Sequence, residues 1–520
     1  MYLRAGLISV MLLVLSRVLG LGRESVQAAL FGTSGLADIV VAMLTLPDLL
    51  SSALTTGALA YVLLPWWARQ TPQQVGHGQR LMGKWLLALG VALAVLMWLS
   101  AALWAHLLVP ASSGDPALAL RAAQAVRWAA VAMPLALLSF LWYTRCQHER
   151  DAVGMYGMNV VHTGVVIAAM LLVAGTGTDW LVTGLGLGML AAYGLRLAFL
   201  AWRLRGSRPV ASTPAAPLAQ AGAADAVDSA NSIASLPAPR LWLWALLAAG
   251  LPAVLPIMAR SMASAQAGGA LAIFNYAYKL VELPNLLAIQ LVATLVFPAL
   301  TRAYASGLDI SSRLQLAWGL SWTLACAAVL GLVMGAQPLG MLLFGWGKMS
   351  AQSLQVVEAW AAAGAWTLLP QSVLSVLILV LATLGRLRTA ALAYGAAMAV
   401  LLCAGYFFGA DVVAIDRGID SSRGATMMLA LSAALWAAVV VAAHSVWDEF
   451  KAAFALKIWL APLLLCIASV VMFRQFFAAH WALVAAQWPV VALALSGLAA
   501  LSLLAACLWI NPSLRSILKR

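Results

Sequence analysis

Long apolar runs follow one another through this 520-residue chain. Each holds about 20 residues, the length an α-helix needs to cross a ~30 Å hydrocarbon layer. The shorter alternating segments that a membrane β-barrel requires are not visible. Charged residues make up 9% of the sequence, against roughly 25% in a water-soluble protein. The runs therefore predict an all-α polytopic membrane protein and exclude a water-soluble globular enzyme. Breaks rich in charge, Pro or Gly divide them into about fourteen spans. These centre on residues 5–21, 36–64, 82–109, 122–143, 157–176, 181–202, 241–263, 270–300, 314–336, 355–384, 389–409, 425–446, 456–473 and 484–510. Arg17 interrupts the first run and no small-x-small cleavage site follows it. It reads as a retained helix, not a signal peptide.

The formal charge is +13, from 30 Lys+Arg against 17 Asp+Glu. In a soluble protein that surplus points to nucleic acid; here it is first a topology signal. With the N-terminus inside, 19 basic residues fall in inner loops and 6 in outer ones. That bias places both termini in the cytoplasm, favours an even number of spans and removes nucleic acid as a partner. The five cysteines are scattered without metal-ligand spacing, and the six histidines form no HxxxH or HExxH pair. A lone one such as His162 reads as a satisfied helix residue. Gly184-x-Gly186-x-Gly188 lies inside a span with no strand before it, so close helix packing is its reading, not nucleotide binding. No Walker motif is present, and neither a cofactor nor a metal is expected.

Residues 204–239 are rich in Ala, Pro and Ser and hold no aromatic residue, the composition of a flexible linker. This divides the chain into an N-terminal lobe of six spans (1–203), the linker (204–239), a C-terminal lobe of six spans (240–446), and two further spans with a cytoplasmic tail (447–520). An internal repeat supports the division. Leu46-Pro47-Asp48-Leu49-Leu50 in the second span recurs as Leu283-Pro284-Asn285-Leu286-Leu287 in the eighth. The same offset sets Asp38 opposite Asn275 and Arg23 opposite Arg260. Both copies run from outside to inside, so the repeat is parallel. Architectures of this kind place a substrate site between two lobes that rock.

Five basic residues remain inside spans: Arg17, Arg127, Arg196, Arg260 and Lys279. A charge at mid-membrane costs about 2.5–3.5 kcal/mol on insertion scales and usually faces a polar cavity. Arg17 is the strongest candidate. Arg23 follows at the outer end of the same span, where interfacial snorkelling is the competing reading. Lys279 stands three residues before Glu282, which allows an ion pair within one helix. Asp38 and Asp48 could pair with Arg17 and Arg23 across the helix interface. Arg127 and Arg196 lie nearer helix ends and read as snorkelling residues. The acids are too few for the cations, and an anionic ligand such as a phosphate or pyrophosphate would relieve the surplus. Pro47 and Pro284, inside spans, bend helices in a way that suits a cavity.

Ser16-Arg17-Val18-Leu19-Gly20, Gly22-Arg23-Glu24, Phe31-Gly32, Asp38, Leu46-Pro47-Asp48-Leu49-Leu50 and Gly57-Ala58 together resemble the MurJ/MviN lipid II flippase family. That family belongs to the multidrug/oligosaccharidyl-lipid/polysaccharide exporter superfamily. Lys279-Leu280-Val281-Glu282-Leu283-Pro284 and Phe344-Gly345-Trp346-Gly347-Lys348 look like further landmarks. The resemblance is dense over about 1–70 and 250–350. It implies a flippase, not an enzyme, that moves undecaprenyl-pyrophosphate-linked peptidoglycan precursor across the bacterial inner membrane by alternating access. Membrane potential or an ion gradient would drive it. Partners implied are the lipid-linked glycan, membrane lipids and the cell-wall synthesis machinery. Arg17 and Arg23 match the family's cavity arginines, Lys279 replaces a third, and the last two spans would form a groove for the lipid tail. Glu24, Asp38, Asp48, Glu282, Pro47 and Pro284 would support or gate the site. After Leu-Pro-Asp-Leu-Leu the family has a basic pair and an acid, whereas this chain has Ser51-Ser52 and Thr56. Arg260 is the candidate replacement for the lost arginine. A flippase for a capsule or exopolysaccharide unit is the rival reading.

Overall fold

The computed structural model describes residues 2–53, 59–68, 70–175, 177–205, 239–285, 311–409, 421–447, 451 and 456–511. The described parts of the predicted runs are helical apart from short breaks such as those at Ser100 and Trp488 and from turns at run ends, and the all-α expectation holds. Eleven helices among the described residues are long and apolar enough to cross a membrane. The first, second and eighth runs are the ones outside that set; the second is described in two pieces and the eighth only to residue 285. The linker expected over 204–239 falls almost wholly outside the described residues. The described chain forms two compact units. One holds residues up to 205, 239–272 and 347–349; the other holds 273–346 and 350–511.

The first unit contains α1 (Tyr2–Phe31), α2 (Gly35–Ala53), α3 (Leu59–Trp67), α4 (Pro72–Leu99), α5 (Ala101–Leu108), α6 (Pro116–His148), α7 (Ala152–Val173), α8 (Thr178–Arg205) and α9 (Pro239–Ser264). Local sequence sets their ends. Thr71 and Gln74 close a capping box at the start of α4, and Asp115 caps α6 through the amides of Ala117 and Leu118. Helix α6 is the spine, packing against α2, α4 and α8. It can do so because Ala122, Ala125, Ala129, Ala132 and Ala136 are buried at a spacing of three or four residues. The glycines of Gly184-x-Gly186-x-Gly188 serve the same end. A Cβ on Gly186 would fall 2.3 Å from the Trp128 ring, and one on Gly188 would fall 2.2 Å from that of Ala169. Helix α1 lies on α7, and α9 packs on α2, α3 and α5. Arg203 grips Asp151 through two hydrogen bonds of 2.6 and 3.0 Å, tying the end of α8 to the start of α7.

Helix α10 (Ala270–Pro284) begins in the first unit and continues in the second. The second unit adds α11 (Ser311–Phe344), α12 (Ala351–Gly364), α13 (Leu368–Thr383), α14 (Leu387–Gly409), α15 (Ser421–Ser445), α16 (Leu456–Met472), α17 (Ala478–Gln487) and α18 (Pro489–Ile510). Its spine is α11, which packs against α12, α13, α16 and α18. The thirteenth run, expected to end at residue 473, continues as helix: a π-helical turn over Phe473–Phe477 joins α16 to α17, and the candidate span runs from Ile458 to Gln487. Indole N–H groups find carbonyl partners across these seams: Trp322 donates to Trp459 at 2.9 Å and Trp481 to Met334 at 2.8 Å.

Candidate functional site

Helix α1 carries the first candidates. Arg17 and Arg23 are six residues apart, about 9 Å along the axis and roughly 120° apart around it. They do not share a face. The Arg17 side chain is exposed, while Arg23 turns inward and is only 12% exposed. The Arg23 Nη2 donates to the Glu24 carboxylate at 2.7 Å and to the Asp48 carboxylate of α2 at 3.4 Å. Glu24 is 3% exposed and Asp48 50% exposed. A buried guanidinium thus sits between two acids from two helices. Arg23 is an ion-paired residue, not a snorkelling one. Of the two pairings open to Asp48, the structure contains the one with Arg23.

Asp38 meets neither arginine. Its fully buried carboxylate accepts hydrogen bonds from the backbone amides of Gly269 at 2.7 Å and Ala272 at 2.8 Å. These are free amides of the first turn of α10, where the helix dipole favours a negative charge. Gly269 makes the approach possible. Its φ is +93°, and a Cβ there would lie 1.9 Å from the Thr33 carbonyl oxygen.

Arg260 is half-buried in the last turns of α9. Lys279 and Glu282 face each other on α10 at 2.7 Å, the local pair that their spacing allows. Pro47 lies inside α2 immediately before Asp48, and Pro284 is the last residue of α10. The Phe344–Lys348 stretch contributes backbone: the Lys348 amide donates to the Ala29 carbonyl at 2.8 Å.

Arg196 is a correction. It does not snorkel; it is 3% exposed, with its Cζ 4.8 Å from the centre of the Phe140 ring and 6.0 Å from that of Tyr193. Among the described residues it has no ion pair, and its Nε has no hydrogen-bond partner. Helix α8 runs on past residue 202 to Arg205, and its basic last turn is formed by Arg203 and Arg205, about two turns beyond Arg196. The missed signal was periodic. Leu185, Met189, Ala192, Arg196 and Leu200 are spaced four, three, four and four apart, so Arg196 falls on the buried stripe. His162 is likewise buried with its Nδ1 unpartnered, and its ring lies 4.5 Å from that of Tyr193. Arg127 is exposed beside Trp98.

The family model for the lipid II flippase MurJ matches residues 27–492. The chain belongs to the MurJ family. A curated MurJ-family relative, the lipid II flippase MurJ of Burkholderia cenocepacia, is 27% identical over 357 residues. That alignment covers 66% of each chain, so this chain spans about two thirds of the relative's length. Among solved structures, a lipid II flippase MurJ in an inward closed conformation superposes with a TM-score of 0.73 at 15% identity, covering 96% of this chain and 98% of that one. An inward-facing multidrug-resistance MATE family transporter superposes with a TM-score of 0.57 at 16% identity, covering 85% of this chain and 94% of that one. At these identities the superpositions establish a shared fold. MurJ-family membership rests on the sequence match.

Proposed function

We propose that this chain is a flippase that carries lipid II, the undecaprenyl-pyrophosphate-linked peptidoglycan precursor, from the inner to the outer leaflet by alternating access. It makes and breaks no covalent bond. The family match over residues 27–492 carries the reading. The side chains suit it. A pyrophosphate offers several anionic oxygens that a guanidinium meets with paired hydrogen bonds, and α1 supplies guanidiniums at two depths. Arg17, Arg23, Lys279 and Arg260 are the cations proposed to receive it, Lys279 as a point charge without the planar fork. Asp38, at the start of α10, and Glu24, Asp48 and Glu282, beside the cations, are the proposed supporting and gating acids. Pro47 and Pro284 belong to the same proposed set. No observation favours the capsule or exopolysaccharide substrate.

In this reading the protein sits in the bacterial inner membrane with both termini cytoplasmic. It draws on membrane potential or an ion gradient without a cofactor, and delivers its glycan to the cell-wall synthesis machinery. The test is expression in a strain depleted of its own lipid II flippase. Restored growth is the expected result. Failure to restore growth by a chain that has inserted into the membrane would refute the substrate.

A further inference from the structure

The turn from α1 into α2 forms one wall of a cavity of about 440 Å³, within the roughly 300–1,000 Å³ of small-molecule sites. Phe31 and Leu36 beside the turn, Ala174 at the end of α7 and Leu181 in α8 give it an apolar lining. Ser34 and Lys348 bring polar groups, and all of these residues belong to the first unit. The Ser34 hydroxyl is already engaged. It donates to the Phe31 carbonyl at 2.9 Å and accepts from the Ala37 amide at 3.3 Å. Lys348 is exposed and forms no ion pair among the described residues. The cavity thus combines one uncommitted ammonium with apolar walls.

Backbone contacts fix Lys348 in this place. Its amide donates to the Ala29 carbonyl at 2.8 Å, and Gly32 and Gly347 beside the contact have φ of +61° and +70°. A Cβ on Gly32 would fall 2.7 Å from the Lys348 carbonyl oxygen, and one on Gly347 would strike the Ala29 carbonyl. The lysine Cα is therefore held at the cavity while its four-carbon stem stays flexible. The same end of the unit exposes large apolar side chains. Leu171 and Leu172 of α7 are 56% and 78% exposed, and Trp180 in the first turn of α8 is 67% exposed. Exposed leucines beside an exposed indole mark a surface at the membrane interface, where the anions at hand are lipid phosphates. We propose that this cavity holds the headgroup of an anionic phospholipid, with its phosphate on the Lys348 ammonium and its acyl chains along Leu171 and Leu172. A zwitterionic headgroup carries a cation that the lysine repels, so the site selects net negative charge. With both termini cytoplasmic, this end of α1 faces the outer leaflet.

Native mass spectrometry of the full-length chain in detergent reads bound lipid directly, with thermal unfolding of each variant alongside. Dioleoyl phosphatidylglycerol is expected to bind more tightly than dioleoyl phosphatidylcholine. Lys348→Gln should weaken phosphatidylglycerol about fivefold, the share of one lysine at an anionic headgroup, and leave phosphatidylcholine unchanged. Ala174→Phe fills the cavity without altering any charge and should weaken phosphatidylglycerol to a similar degree. A lysine acting only by long-range attraction would not show this second effect. Leu181→Phe is the alternative filler if Ala174→Phe does not fold. Equal affinity of the wild type for the two lipids, or wild-type binding by Lys348→Gln, overturns the site. Wild-type binding by a folded filler variant removes the cavity as its location. Displacement of phosphatidylglycerol by an equimolar amount of inorganic phosphate assigns the cavity to a free anion and overturns the lipid.

Discussion

The Asp38 carboxylate accepts a 2.7 Å hydrogen bond from the backbone amide of Gly269, 231 residues away in sequence. A second bond from Ala272 makes Asp38 the cap of a helix to which it does not belong. An ionised acceptor on two buried amides is worth more than a neutral one. Asp38→Ala is expected to destabilise the protein by about 1–3 kcal/mol, the cost of leaving buried amides unmet. Asp38→Asn, which keeps one acceptor, should fall between Ala and wild type. Thermal unfolding in detergent checks the order, and an Ala variant as stable as wild type would refute it.

Two glycines should respond in opposite directions to the same change. Gly269→Ala forces a Cβ onto the Thr33 carbonyl and requires a left-handed backbone, so loss of folded protein is expected. Gly194, inside α8, has nothing within 4 Å of where its Cβ would be. Gly194→Ala should raise stability by about 0.5–1 kcal/mol through helix propensity. Unfolding midpoints of the purified variants decide this.

Arg23 combines a structural and a functional role, and the two can be separated. Arg23→Ala removes the cation beside buried Glu24, at about 3–5 kcal/mol, and should abolish complementation. Arg23→Ala with Glu24→Gln is expected to recover much of the lost stability but none of the complementation. Recovery of both would mean that the arginine only neutralises its neighbour.

The pair on α10 makes a contrasting case. A part-buried i,i+3 ion pair within one helix contributes about 0.2–0.5 kcal/mol, so Glu282→Gln should barely move the unfolding midpoint. If Lys279 receives substrate, Lys279→Ala should lose complementation at unchanged stability. Full complementation by that variant would exclude Lys279 from the site.

Composition and periodicity were enough to read the helices, because a bilayer demands long apolar runs and the chain supplies them. The Arg23–Asp48 pair was legible as two opposite charges in neighbouring spans. The partner of Asp38 was not, since a backbone amide carries no residue signature. The burial of Arg196 was legible only from the stripe Leu185, Met189, Ala192 and Leu200, because the charge itself argued for a helix end. His162 reads as an ordinary helix residue, and nothing in its sequence neighbourhood signals the tilted ring contact with Tyr193 or the unpartnered Nδ1.

The position of Pro47 has a consequence for the residue that follows it. A proline within α2 cannot donate to the carbonyl of Met43, so one rung of the backbone ladder is missing there. At that rung α2 resists bending less than elsewhere, and the next side chain along is the half-exposed Asp48 carboxylate. A small change of angle at this joint swings that carboxylate sideways without rotating its own bonds. The reach of Asp48 is thus set by the flexure of a helix, and a substitution that stiffened position 47, such as Pro47→Ala, would shorten it while leaving every charge in place.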